Sequence, residues 1–219
     1  MPRGLINMKK KYIQLPKSYL SFSQITLWQS NPERYKKLYF EGDQSYNFTN
    51  DGMRFGSKVA DALEHKTQTG ELLTDIAIEL MPQYDVRDEE IVADLKTEDG
   101  WIKVLGRPDS LDSETKDFVE FKTGKVKWTQ TKAEKHLQLR FYAMLIYLEY
   151  GVVPGNVALI WMETHKNTDG ETEPTGRIEK FPVKIELKDI LETMAITSKV
   201  AKEIEAAWVI YERPADPKF

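Results

Sequence analysis

Two short stretches hold residue types that could do chemistry together. Arg107-Pro108-Asp109 is followed, eleven residues after the aspartate, by Glu120-Phe121-Lys122-Thr123-Gly124-Lys125. Side chains at i and i+2 of a strand share a face, so Glu120 and Lys122 project together while Phe121 points the other way, into packing. If a strand over 101–107 pairs with one over 118–123, Asp109 comes beside Glu120, and two carboxylates meet one ammonium at a strand end. Two carboxylates held close resist ionising unless a cation joins them. Lys122 supplies one positive charge, and a hard divalent cation with oxygen ligands would supply the rest. Magnesium binds through one or two carboxylates and keeps waters for substrate phosphates. Such an ion activates water and neutralises the charge that develops as a phosphodiester breaks. A lysine beside it could orient or deprotonate the water, or stabilise the transition state. The same residues would also make a salt-bridge cluster at a strand end, and an isolated Asp…Glu-x-Lys match is common by chance.

The elements that must position these residues follow from the hydrophobic period. Ser21 and Ser23 are cap candidates for a short helix with Ile25, Leu27 and Trp28, and Asn31-Pro32 breaks it and opens another with Tyr35, Leu38 and Tyr39. Residues 52–69 read as a helix with Phe55, Val59, Ala62 and Leu63 on one side and Gly70 at its stop, and Leu72 to Met81 as another closed by Pro82. The period then changes. Glu89 to Leu95 and Trp101 to Leu105 read as strands about an Asp99-Gly100 turn, and Phe118 to Thr123 as a third. Thr131 and Glu134 suggest a capping box for a helix that runs to Tyr150 and stops at Gly151, with an apolar stripe of Leu137, Phe141, Met144 and Leu148. Val157 to Met162 is an apolar strand, Asn167 to Gly176 a turn-rich loop, and Ile178 to Val183 a partner strand. A last helix carries Ile190, Met194, Thr197, Ala201, Ile204, Trp208 and Tyr211 at steps of a packing seam. The order predicts a mixed α/β domain with a helical N-terminal extension.

At 219 residues the chain is one domain with additions, or a tight pair. The absence of cysteine excludes disulfides, thiolate zinc sites, cysteine nucleophiles and iron–sulfur clusters, and suits a reducing compartment. No run approaches the roughly 18 apolar residues of a membrane span. No apolar segment follows the basic residues of Met1–Lys11, so the expectation is a soluble, cytoplasmic protein. The net charge of −4 hides an uneven distribution. Residues 1–40 carry eight basic residues against Glu33 alone, and residues 122–140 carry six (Lys122, Lys125, Lys127, Lys132, Lys135 and Arg140) against Glu134. Two basic islands on an acidic body are compatible with a groove for a polyanion, and also with a solvated face plus a loose tail. Lys125, Lys127, Lys132, Lys135 and Arg140 flank the carboxylates and could bind phosphates. Trp128 could stack on a base, or be a half-buried loop aromatic.

Pro108-Asp109 followed by Glu120-Phe121-Lys122-Thr123-Gly124 resembles the PD-(D/E)XK nuclease superfamily, and within it the RecB-type exonuclease branch, whose lysine is often followed by Thr-Gly. Three further segments resemble that branch in the right order. Ser21-Phe22-Ser23-Gln24-Ile25 with Asn31-Pro32 and Tyr35 is similar to its N-terminal SxSxLxxYxxCPxxY segment. Gly56 to Glu64 is similar to its GxxxHxxLE helix, and Gln138 with Tyr142 to its QxxxY motif. The resemblance implies a restriction-endonuclease-like core, a mixed sheet flanked by helices with the site at its edge. It divides one nuclease domain, 1–219, into a basic helical extension (1–50), a catalytic core (51–165), and a hairpin strand with C-terminal helix (166–219). It implies Mg²⁺ or Mn²⁺ held by Asp109, Glu120 and the Phe121 carbonyl, with Glu64 contacting a metal directly or through water. Lys122 would be the catalytic lysine, and Gln138 and Tyr142 would face the site, touching DNA or the lysine. Two positions depart from the pattern. Ala60 stands where the family has a histidine that can ligate metal, with His65 on a different face of the helix, and Asn31 replaces the cysteine of relatives that hold an iron–sulfur cluster.

The implied activity is a metal-dependent DNA nuclease. An exonuclease on single-stranded DNA or duplex ends is favoured by the resemblance, in recombination, repair or phage DNA processing, with any helicase or recombination partner a separate chain. The Ala60 departure motivates an alternative, a non-catalytic DNA-binding or scaffolding relative. A carboxylate-pair hydrolase acting on sugars is opposed by Lys122 between the acids and by the basic islands.

Overall fold

The computed structural model of the chain describes residues 10–68, 70, 75–76, 78–79, 84–87 and 89–212. Most of the expected helix Leu72 to Met81, its Pro82 stop, and most of the basic stretch Met1–Lys11 lie outside the described residues.

The N-terminal helices are set by side-chain caps. After the two-residue strand β1 (Leu20–Ser21), the Ser21 hydroxyl accepts the Gln24 N–H and opens α1 (Phe22–Ser30). Asn31 accepts the Arg34 N–H at 3.0 Å and opens α2 (Pro32–Tyr39), with Pro32 where a missing N–H costs nothing. Leu20, Ile25, Trp28 and Tyr35 are buried in the main core, so these helices are stitched into the body. Asn50 caps α3 (Asp51–His65) through the Met53 N–H. That helix ends at His65, five residues before Gly70, because Lys66 takes a left-handed conformation (φ +50°) and the Thr67 N–H closes back on the Ala62 carbonyl.

β2 (Val86–Arg87) is followed by β3 (Ile91–Lys96) and β4 (Trp101–Gly106), which pair antiparallel about the expected Asp99-Gly100 turn. β5 (Ser110–Leu111), β6 (Phe118–Gly124), α4 (Gln130–Glu134), α5 (Leu137–Tyr150), β7 (Val157–Lys166), β8 (Thr172–Val183) and α6 (Leu187–Glu212) complete the order. One sheet runs β1-β4-β3 and a second β2-β5-β6-β7-β8. β6 and β7 are parallel and need a long crossover, which α4 and α5 supply; the other pairs of the second sheet are antiparallel.

Two expectations are corrected by local hydrogen bonding. The single helix to Tyr150 is two helices that break at Lys135-His136. Thr129, in extended backbone, caps α4 by accepting the Lys132 N–H, while Glu134 accepts from the Gln130 amide, so Thr131 and Glu134 form no capping box. The loop Asn167 to Gly176 shrinks to 167–171. The Asn167 side chain accepts the Asp169 and Glu171 N–H groups and closes the turn, and Thr172 onward is already strand.

The core lies where α5 meets β3, β4 and α6. Leu139, Phe141, Met144, Leu145 and Ile146 of α5 are fully buried, so its pattern is apolar nearly all round, as a doubly covered helix requires. A methyl on Gly106 would lie 2.7 Å from Leu145 Cδ1 and 2.8 Å from the Tyr142 ring, so the missing side chain is what lets α5 lie this close to β4. The α6 seam packs as expected at Ile190, Thr197, Ala201 and Ile204, while Tyr211 is exposed and stacks on Trp208.

Candidate active site

Asp109 does come beside Glu120, but not through the strand expected to bring it. β4 belongs to the other sheet. Arg107-Pro108 ends it, and the chain re-forms as the two-residue β5, whose Ser110 pairs with Val119 and Leu111 with Phe118. One step further along that register, Asp109 stands opposite Glu120, and its Oδ2 accepts the Phe121 N–H at 2.6 Å. The aspartate thus fixes the backbone of β6 at the residue between the glutamate and the lysine.

β6 alternates as its period dictates. Phe118, Glu120 and Lys122 face α5; Val119 and Phe121 pack on the opposite side, Phe121 against Phe55, Val59, Leu63 and Met162 as one apolar cluster. Glu120 is buried. Its Oε1 accepts two bonds, from Lys122 Nζ at 2.7 Å and Gln138 Nε2 at 2.6 Å. The same Gln138 amide also donates to the Tyr142 hydroxyl at 2.9 Å. The other oxygen, Oε2, is buried, and no hydrogen-bond donor among the described residues reaches it. Burial, and then the negative charge of Asp109, push the Glu120 carboxyl up to about 8 against the pull of Lys122. One lysine is therefore too little positive charge for this pair, and the free Oε2 is a hard oxygen donor beside a second carboxylate. A divalent cation of the Mg²⁺ or Mn²⁺ kind fits that donor set.

Asp109, Glu120, Phe121, Lys122, Thr123 and Gly124 line a cavity of about 610 Å³, roofed by the first half of α3. Gly56 makes the close approach possible, since a methyl there would stand 3.0 Å from Thr123 Oγ1. Ala60 lines the cavity, at the position of the family histidine, and offers no ligand. Glu64 lies one turn further on and is absent from the lining; its Oε1 lies 3.9 Å from His65 Nε2. His65 Nδ1 lies 2.9 Å from the Asp61 carbonyl oxygen on the outer side of the helix.

The basic residues separate. Lys125 lines a neighbouring cavity with Thr164 and Lys166. Lys127 lies 3.7 Å from Glu179. Lys132 and Lys135 line a second cavity at the α4–α5 corner. Arg140 does not join them: it is half-buried against Asp189 and Glu192 of α6, at 3.3 and 3.5 Å, an ion pair between packed helices. Trp128 is buried, edge-on to His136 and under Lys132 Nζ at 3.9 Å, so its faces are not free for a base. Nothing in the sequence singles out His136. It sits between Phe22 and Trp128 at the helix break, and burial, then Lys122 and Lys132, pull its imidazole down to about 4, so it is neutral near pH 7.

A mixed sheet wrapped by helices, with Asp and Glu-x-Lys meeting across two of its strands, defines a nuclease-like α/β protein. The chain belongs to the PD-(D/E)XK nuclease superfamily, whose family model matches residues 26–209. Among solved structures it is similar to the crystal structure of SSO0001, at 10% identity and TM-score 0.51, over 93% of this chain and 80% of that one. A second, an alkaline exonuclease (LHK-Exo) from Laribacter hongkongensis, aligns at 14% identity and TM-score 0.45, over 90% of this chain and 92% of that one. No curated protein matches the sequence. No helix among the described residues is long and apolar enough to cross a membrane.

Proposed function

We infer that the chain is a metal-dependent deoxyribonuclease that digests DNA from ends, in recombination, repair or phage DNA processing. The observation that carries this reading is the division of labour on Glu120, with two donors on Oε1 and none on the buried Oε2. Asp109, Glu120 Oε2 and the Phe121 carbonyl would hold Mg²⁺ or Mn²⁺. When bound, such an ion supplies an acidified water and a counter-charge for the scissile phosphate. Lys122, anchored at Oε1 and partly exposed to the cavity, directs its remaining N–H bonds toward the attacking water or the phosphoryl oxygen. Gln138 acts through Glu120: it occupies Oε1 and so leaves Oε2 for the ion, and Tyr142 orients its amide. The preference for ends over internal sites rests on the likeness of the four motifs to RecB-type exonucleases.

Ala60 in the cavity wall favours a second reading, a relative that binds DNA without cutting it. One assay separates the two. Linear and circular DNA, single- and double-stranded, are offered with Mg²⁺ or Mn²⁺ or with EDTA, beside Lys122→Ala. Metal-dependent loss of linear DNA only, abolished by the substitution, is the expected result. Circles cut as fast as linear DNA would make the enzyme an endonuclease. DNA bound but uncut under every metal would reject catalysis.

A further inference from the structure

The break between α4 and α5 makes a cavity that the catalytic strand does not use. It measures about 540 Å³, within the roughly 300–1,000 Å³ of small-molecule pockets. Its wall is apolar and aromatic, from Phe22, Leu137 and His136; its rim carries Thr131, Lys132 and Lys135. No carboxylate stands among the described residues of its lining, although the chain as a whole is acidic. Lys135 has no acidic partner among the described residues, and Lys132 rests on the Trp128 ring. His136, the residue before α5, gives its helix no side-chain cap, so the helix N-terminus adds its partial positive charge to the lysines. Behind the wall the rings follow one another in depth, Phe22 tilted to His136 at 6.0 Å and His136 edge-on to Trp128 at 5.0 Å, with Phe22 also backed by Phe141. His136 is held neutral and so adds no charge to the wall.

A cationic rim over an aromatic wall fits one repeat of a nucleic-acid strand, phosphate on the lysines and base against the ring. A base paired inside a duplex keeps its faces stacked on its neighbours and cannot enter such a pocket. The cavity is also close to the chemistry. Phe22 continues into a groove lined by Gln138 and Tyr142, and Gln138 donates directly to Glu120. We propose that this corner is a subsite for one unpaired nucleotide of the strand presented to Asp109, Glu120 and Lys122, with Phe22 as the base platform and Lys132 and Lys135 as the phosphate contacts. It rests on the nuclease reading and adds to it that the strand is engaged single, as single-stranded DNA or a frayed end.

The probe is a fluorescently labelled oligothymidylate, with a blunt DNA hairpin as the paired control, each titrated into the full chain in EDTA and followed by anisotropy. Phe22→Leu keeps apolar bulk against Phe141 but removes the π face. It is expected to weaken oligothymidylate binding roughly tenfold, the size of a lost base stack, and to leave the hairpin within about twofold. Phe22→Tyr is expected to restore it. Lys132→Ala with Lys135→Ala is expected to flatten the salt dependence of single-strand binding by roughly 0.7 in slope per lysine. Unchanged oligothymidylate affinity in Phe22→Leu, or an equal loss for both probes, overturns the subsite. If the Phe22 variants do not fold, the lysine pair decides, and an unchanged salt slope overturns it. Adding Mg²⁺ afterwards separates this idea from the parent reading. Wild type that cuts while Phe22→Leu binds normally refutes the subsite alone. Wild type that never cuts while Phe22→Leu loses the oligonucleotide refutes the nuclease alone.

Discussion

Replacing Glu120 with glutamine tests the electrostatics of the site without any substrate. The carboxyl is pushed from its ordinary 4.5 up to about 8 by burial and by Asp109. Between those values the folded protein keeps a proton that the unfolded chain releases, so stability falls as pH rises. The contribution is fully present below pH 4.5 and gone above about 8. A displacement of this size corresponds to about 5 kcal/mol. His136 works in the opposite sense: pulled down to about 4, it adds stability as pH rises toward its unfolded value. The comparison between wild type and Glu120→Gln cancels that contribution, because the variant keeps His136. Urea unfolding in EDTA, from pH 4.5 to 8.5, is the assay. The variant is expected to gain on the wild type progressively across that range, by on the order of 5 kcal/mol in total. Saturating Mn²⁺ at pH 8.5 should then stabilise the wild type, by about 2.7 kcal/mol at a hundred times its dissociation constant, and leave the variant unmoved. Parallel pH curves for the two proteins in EDTA would refute the account of a charge-deficient pair. A variant that loses ground on the wild type as pH rises without metal would reverse its sign.

Three further outcomes follow from particular contacts. Ala60→His places an imidazole in the cavity wall beside the carboxylates, and the Mn²⁺ concentration needed for half-maximal cleavage is expected to fall several-fold; no change would mean that the α3 wall does not face the ion. Arg140→Ala removes the cation from the largely buried Asp189 and is expected to cost about 3 kcal/mol in urea unfolding, with the salt dependence of DNA binding unchanged; a flatter salt slope would put Arg140 back among the phosphate contacts. Gly106→Ala drives a methyl into Leu145 and Tyr142 and is expected to destabilise by about 1–3 kcal/mol while lowering cleavage, since Tyr142 orients Gln138; a neutral effect in both assays would mean that α5 can shift freely on β4.

What the sequence made legible was local. Period two put Glu120 and Lys122 on one face and Phe121 on the other, and the caps Ser21 and Asn31 were readable because a cap needs only a side chain and an N–H three residues away. The rest depended on distant partners. β5 has two residues, too few to show any period, yet it brings Asp109 to Glu120. Arg140 resembled its basic neighbours until Asp189 and Glu192, about fifty residues on, claimed it. Trp128 reads from the sequence either as a base platform or as a half-buried loop aromatic; it is buried, because the chain bends at His136 and brings that ring edge-on against it. β8 begins at Thr172, ahead of the expected Ile178, because the polar Thr172 to Gly176 is a strand segment with a face turned to solvent.

The Glu-x-Lys spacing works because of depth. Along one face of β6, Phe118 is wholly buried, the Glu120 side chain is 4% exposed and the Lys122 side chain 27%. Two residues of strand are roughly 7 Å, so this single face passes from core to cavity within about 14 Å. At the middle position a carboxylate is deep enough to be stripped of water, which makes an unfilled oxygen costly, yet shallow enough for the residue to line the cavity. The lysine, one step nearer solvent, can reach back to Oε1 and still present protons forward. Moved two residues inward, the pair would bury the ammonium; moved two outward, water would satisfy Oε2 and compete with any ion. Gln138 arrives from α5 to complete the first oxygen, leaving the second buried without a donor among the described residues. That asymmetry between two oxygens of one residue turns a salt bridge into a place for a cation.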